Sequence, residues 1–412
     1  MTRFDCDEND SWKAAPFAVE IIERVCGTGL LESRITAGGP QVKPSLNRIG
    51  AVAIGDSEFV VHPKASFASV LFMLGYAADP GFRPEEVSGA GTEIFPAIAE
   101  TFARIAERAL GRGVLQGYRR LDESAVTVRG RIRFSDQMSR HGGRLLPVEL
   151  TVDDYSADIV ENQILRAAAR LLLTTPRVHS DVRRRLLHLE SKLSEAAPLQ
   201  PGTDTPQWHP SRLNLRYQPA LRFAELILAR LTPSTTGGGD SVASFVVNMA
   251  EAFEGFVTAS LSAAFSEISP GVSVGQFSTH LDVERRQPIR PDFVHLLERE
   301  PIVVIDAKYK LGTSRVEDLY QMLAYCTVLG LAEGTLISVA NGDTMPDRPS
   351  TVAGSDVVVR TVRVDVSAPP ASMLAQLVAI SRGAASRAPS SARLKHIPGK
   401  PGLDAGRRHA SS

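Results

Sequence analysis

Apolar positions recur with helical spacing at several points along the chain. Between Ile94 and Leu110, the residues Ile98, Phe102, Ile105 and Ala109 fall on one side of a helix, and Pro96 suits its first turn. The same reasoning predicts helices over Ser66–Ala77, Asp158–Leu173, Val182–Ser194 and Leu221–Leu231. Near the C-terminal end, Met249, Phe253, Phe256, Val257 and Leu261 form the apolar stripe of a helix expected over residues 245–261, and a further amphipathic helix is expected over 316–330. Short apolar or alternating runs predict strands at Ala51–Ile54, Phe59–Val61, Val126–Phe134 and Val148–Val152. Phe293–Leu297 and Ile302–Ile305 flank the polar turn Glu298-Arg299-Glu300-Pro301, which reads as a β-hairpin.

These elements group into domains. Residues 1–100 read as a loop-rich α+β module, and 101–235 as a mainly helical middle domain entered through strands. The Gly-rich run TPSTTGGGD at 232–240 is the expected linker. Residues 241–380 form an α/β domain in the order helix, strands, helix, strand, strand, and 381–412, poor in large apolar groups, is an expected disordered tail.

Composition narrows the function. Three scattered cysteines without a CxxC pair argue for reduced thiols and against a zinc ribbon. The N-terminus lacks a signal-peptide core and no apolar stretch is long enough to span a bilayer, so a cytoplasmic location without membrane contact is expected. Lys plus Arg and Asp plus Glu both number 46, giving zero net charge. Residues 104–144 nevertheless carry ten arginines against four acids. Arg131 and Arg133 alternate on the strand expected there, as candidate contacts to nucleic-acid phosphates or to a partner, with a solvated face as the alternative. His62, His209 and His295 lack a second ligand at metal spacing, and no GxSxG motif is present.

The chemistry concentrates in RPDFVHLLEREPIVVIDAKYK, residues 290–310. Asp306 and Lys308 share one face of a strand, and an antiparallel hairpin brings Asp292 opposite them. Two carboxylates and an ammonium then converge. Such a set suits Mg²⁺ or Mn²⁺, with the Ala307 carbonyl as an extra ligand, and suits phosphodiester hydrolysis. Lys308 would orient or deprotonate the attacking water, or neutralise charge developing at phosphorus. Glu254, at the edge of the preceding helix stripe, is the candidate additional acid, with Glu251 and Glu225 as weaker competitors. Gln321 and Tyr325 lie at i, i+4 on the following helix. Gln321 is a candidate contact to the attacking water or the DNA backbone, and Tyr325 reads as packing. His295 falls on the strand face opposite Asp292 and reads as structural.

The succession NMAEAFEGFV, RPDFV, VVIDAKYK and DLYQMLAYC resembles the C-terminal nuclease domain of the McrC family, the endonuclease subunit of the McrBC 5-methylcytosine-specific restriction system. VHPKASFASVLFMLGYA, VRGRIRF, YSADIVENQILRAAARLLL and LNLRYQPALRFAELIL are similar to upstream parts of that family. The resemblance implies a PD-(D/E)xK restriction-endonuclease-like domain, a mixed sheet flanked by helices. It further implies a catalytic role for Asp292, Asp306 and Lys308, with Glu254 as the helix acid and Gln321 as the motif glutamine. It implies Mg²⁺-dependent cutting of modified DNA in phage defence, and an N-terminal region that engages a hexameric AAA+ GTPase of the McrB type. The chain contains no GxxxxGK[ST], so such a motor would be a separate polypeptide. Two rivals remain at this stage. One is a stand-alone nuclease of the same superfamily acting in repair; the other is an adaptor that activates an NTPase while its nuclease site is vestigial.

Overall fold

The computed structural model describes residues 2–87, 93–200, 204–235, 241–311, 316–340 and 348–389. The chain forms two compact units, Met1–Phe256 with Val366–Ala371, and Val257–Asp365 with the chain from Ser372. Among the described residues no helix is long and apolar enough to cross a membrane.

The first unit is built on a five-stranded sheet in the order Thr2–Asp7, Ser57–His62, Arg48–Ile54, Ser241–Asn248, Leu231–Thr235. The expected linker at 232–240 is therefore not a boundary where it is described. Leu231–Thr235 pairs antiparallel with Ser241–Asn248, which pairs in turn with Arg48–Ile54. The residues just after it, expected to open the second domain as helix, instead pair with a strand some 190 positions earlier in the chain, and the division of the chain falls at Phe256. Gly50 makes the pairing possible. Its φ is +135°, and a Cβ there would lie 1.9 Å from the Phe245 carbonyl oxygen. The helices Phe67–Ala78, Ile94–Leu110, Val160–Leu173, Ser180–Lys192 and Gln218–Arg230 arise where periodicity predicts them. Ser66 caps the first by accepting from the Ser69 amide at 3.0 Å.

The strand expected at Val126–Phe134 is corrected. The long strand is Gly117–Ala125, paired with Val148–Ser156, while only Arg131–Ile132 adds to the same sheet and Phe134–His141 is helical. Gly117–Ala125 is largely exposed and polar, so it carries no apolar alternation to detect. Gly130, at φ +102° and with its Cβ position 2.5 Å from the Thr151 oxygen, interrupts the run that did alternate.

The second unit holds a six-stranded mixed sheet, ordered Val272–Gly275, Phe293–Leu297, Glu300–Leu311, Glu333–Ala340, Val358–Asp365, Arg348–Thr351. The helix Val316–Leu329 connects the parallel strands Glu300–Leu311 and Glu333–Ala340. It lies close on the sheet because Gly334 has no side chain: a Cβ there would meet Met322 Sδ at 2.3 Å. Met322, Tyr325, Cys326 and Leu329 pack with Val294, Val304, Leu336 and Val359 beneath it. The expected disordered tail is also corrected in part. The helix Pro370–Arg387 continues through Ser381, whose neighbours on the buried stripe are Met373, Leu377 and Ala384. From residue 381 on that stripe is carried by small residues, Ser381 and Ala384, which hid it from a hydrophobicity count. Residues 390–412 lie outside the described residues.

Candidate active site

The hairpin at the centre of the second sheet sets the site. Its turn is two residues long, with Leu297 paired to Glu300 and with Glu298 and Arg299 at φ 53° and 72°, the signature of a type I′ turn. Continued without interruption, that register would place Asp292 opposite Ile305. A bulge intervenes. His295 pairs with Val303 but Leu296 with Pro301, leaving Ile302 as the extra residue, and Phe293 consequently pairs with Ile305. Asp292 thereby comes opposite Asp306, on the same face. A one-residue slip would have sent the two acids to opposite faces.

Asp292 is 7% exposed and Asp306 1%. The Asp292 carboxylate is held at both oxygens. Gln276 Nε2 donates to Oδ1 at 2.7 Å, and the Ala307 amide donates to Oδ2 at 2.8 Å. Ala307 thus touches the acid pair through its N–H. Asp306 is less well provided for. Its Oδ2 lies 2.7 Å from Lys308 Nζ as an ion pair, but among the described residues no directed hydrogen bond reaches that buried oxygen. Burial, followed by the neighbouring Asp292 carboxylate, pushes the Asp306 carboxyl up to about 7, against the opposing pull of Lys308.

The helix Val316–Leu329 supplies the next groups. Gln321 Nε2 donates to the Tyr325 hydroxyl at 2.8 Å. Burial and the charges of Asp306 and Asp292 raise the Tyr325 phenol above its ordinary range, so this buried phenol stands within the field of the acid pair as well as in the core. His295 lies on the other face, as its position predicted. It is 1% exposed, its Nδ1 pairs with Ser273 Oγ at 3.0 Å, and its Nε2 donates to the Pro270 carbonyl at 3.1 Å. Burial lowers its pKa, consistent with a neutral structural imidazole.

Asp292, Asp306 and Lys308 are therefore brought together, with Gln321 one hydrogen bond from Tyr325. Glu254 is half-buried and belongs to the first unit. Its competitors are occupied there: Glu225 accepts from Trp208 Nε1 at 2.8 Å, and Glu251 accepts from Asn248 at 2.8 Å. Among the described residues no three His, Cys, Asp or Glu side chains converge on one metal-sized position. Arg131 and Arg133, also in the first unit, line one groove together with Arg120. Arg133 is committed to the acids Asp122, Asp136 and Glu149, whereas Arg131 is exposed. Gln276 was missed by sequence reasoning. It sits just beyond the strand Val272–Gly275 at φ 50°, and nothing in its spacing marks it.

The family described as McrBC 5-methylcytosine restriction system component matches residues 45–338. No curated protein matches. Among solved structures, a chain of the refined half-complex from a tetradecameric assembly of Thermococcus gammatolerans McrB AAA+ hexamers with bound McrC aligns with a TM-score of 0.57 at 18% identity, covering 85% of this chain and 86% of that one. A chain of the cryo-EM structure of the Thermococcus gammatolerans McrBC complex aligns with a TM-score of 0.44 at 17% identity, covering 64% of this chain and 88% of that one.

Proposed function

The chain belongs to the McrBC 5-methylcytosine restriction system component family, and from that premise we propose that it is the endonuclease subunit of such a system, a PD-(D/E)xK enzyme that hydrolyses phosphodiesters of modified DNA. The observation that carries this reading is the convergence of Asp292, Asp306 and Lys308 on one face of the bulged hairpin. An acid that is 1% exposed, lacks a directed hydrogen bond at one oxygen and is raised by a second acid is poor at stabilising a fold and well suited to receiving a cation.

The donor set fits a hard divalent ion. Asp292 and Asp306 would hold Mg²⁺ or Mn²⁺ with the Ala307 carbonyl. Such an ion supplies Lewis acidity toward a phosphoryl oxygen and lowers the pKa of bound water. The chain's own groups do the positioning. Gln276 and the Ala307 amide fix the Asp292 carboxylate in one orientation. Lys308 orients the attacking water and offsets negative charge on the phosphoryl oxygens. Gln321 holds the Tyr325 hydroxyl beside the acids and offers its carbonyl oxygen to water or its amide to the DNA backbone.

The solved relative has McrC bound to McrB AAA+ hexamers. We carry that arrangement to this chain, with a separate AAA+ GTPase as the motor that brings DNA to the site. The exposed apolar side chains of Tyr118, Phe134, Met138, Leu145 and Tyr155 support a protein-contacting role for the segment 117–156. To test the proposal, purified chain is incubated with methylated DNA, with and without the AAA+ partner, in Mg²⁺ and in EDTA. Cleavage only with Mg²⁺ and partner is the expected result. Cutting by the chain alone would favour the stand-alone nuclease. Stimulated GTP hydrolysis without any cleavage would favour the adaptor.

A further inference from the structure

The register of the second sheet aligns side chains in rows across the face covered by the helix Val316–Leu329. Val294, Val304, Gly334 and Val359 make the first row; Asp292, Asp306, Leu336 and Thr361 make the second; Lys308, Ser338 and Arg363 make the third. The first row is core, packed under Met322, Tyr325 and Cys326. The third is wholly polar and lies toward the carboxyl ends of the parallel strands, the end at which α/β sheets bind ligands.

Two features of that third row lack an explanation in the folded chain. Ser338 is 6% exposed, yet among the described residues its Oγ has no hydrogen-bond partner. A hydroxyl so placed is costly to leave unsatisfied. Arg363 is half-buried and among the described residues forms no ion pair. Arg360, on the opposite face of the same strand, is by contrast neutralised by Glu333 at 2.9 Å. A lysine paired with Asp306, an unsatisfied hydroxyl and an unneutralised arginine in one line offer positive charge and hydrogen-bond donors to a ligand with acceptor oxygens.

We infer that the row Lys308–Ser338–Arg363 is a phosphate track, in which Arg363 holds a backbone phosphate flanking the scissile one and Ser338 donates to the strand between them. This rests on the nuclease reading above and names how the cut strand is gripped. Adjacent strands are about 4.8 Å apart, so Arg363 starts two strand spacings from Lys308, a separation its long side chain can adjust to a neighbouring phosphate. The track runs across the strands, so a nucleic-acid backbone follows the row and crosses the acid pair at one end.

The test uses the full chain and a short duplex oligonucleotide, with equilibrium binding measured in EDTA over a range of salt concentrations and cleavage measured in Mg²⁺ with the AAA+ partner. Arg363→Gln is expected to weaken binding about tenfold and to reduce the slope of log affinity against log salt by about one, the signature of a lost phosphate contact. Arg363→Lys should keep the slope, and Ser338→Ala should raise KM more than it lowers kcat. A purely structural role for Arg363 would leave the salt slope untouched, and that result overturns the track even if the variant is less stable. Wild-type chain that binds with an Arg363-dependent slope but does not cut would sink the nuclease reading while the track stands. Wild-type chain that cuts with a slope indifferent to Arg363 sinks the track alone, and wild-type chain that neither binds nor cuts sinks both.

Discussion

Two regions of this chain drew attention by their charge, and the structure treats them in opposite ways. Several arginines in and around the segment 104–144 are paired with acids, while Arg131 stays exposed. Arg129 forks onto Glu123, Arg133 faces Asp122, Asp136 and Glu149, and Glu149 accepts from Ser124 and His141. Those hydrogen bonds hold the Glu149 carboxyl below its ordinary range. The hairpin at 293–311 does the reverse. It crowds Asp306 against a second acid, buries it, and leaves one oxygen without a directed hydrogen bond. Net charge counted along the sequence singled out the first region, but only geometry distinguishes a settled acid from a frustrated one.

The largest effect should come from the register that creates the site. Inserting one alanine between Val304 and Ile305 sets Ile305 opposite Asp292, sends Asp306 and Lys308 to the other face, and is expected to reduce cleavage on the order of a thousandfold or more. An insertion variant that folds, by circular dichroism, and still cuts would break the contrast between the regions. Beside the arginine-rich segment, Glu149→Ala removes the acid that pairs with Arg140 and His141. It is expected to lower the thermal midpoint of the chain while cleavage per folded molecule is retained. A fall in cleavage with no loss of stability would give this segment the role assigned to the hairpin.

Smaller effects sharpen the account of how the site is supported. Gly334→Val forces a side chain into Met322 and Cys326 and should destabilise by about 1–3 kcal/mol in denaturant unfolding. His295 supports the hairpin from behind, and its folded pKa lies below the ordinary 6.5 because it is buried. The unfolded chain therefore binds that proton more readily. The stability contributed is present above about pH 6.5 and is lost as the pH falls through the lower folded value, and His295→Gln should flatten that limb of the stability–pH curve. Arg299→Gly, which relieves a side chain at φ 72°, should stabilise by about 0.5–1 kcal/mol.

Much of the second unit was legible because its signals are local. The hairpin's apolar runs, the period of the helix Val316–Leu329 and the i, i+2 spacing of Asp306 and Lys308 all lie within short windows. The bulge was not legible, since nothing in Ile302 itself marks it as unpaired, yet it decides which residue Asp292 meets. The first sheet was hidden for a different reason. It pairs Ser241–Asn248 with Arg48–Ile54, and local periodicity carries no information about such distant partners. Gln276, Ser338 and Arg363 enter the site's surroundings only through register and burial, which no motif at their positions announces.

The central claim is that Asp306 serves cutting rather than folding or partner contact. Its most direct test is single-turnover cleavage of methylated DNA by Asp306→Ala in Mg²⁺ with the AAA+ partner, alongside the stimulation of GTP hydrolysis by the same protein. The account predicts no cleavage and undiminished stimulation. Cleavage by Asp306→Ala at the wild-type rate would contradict it.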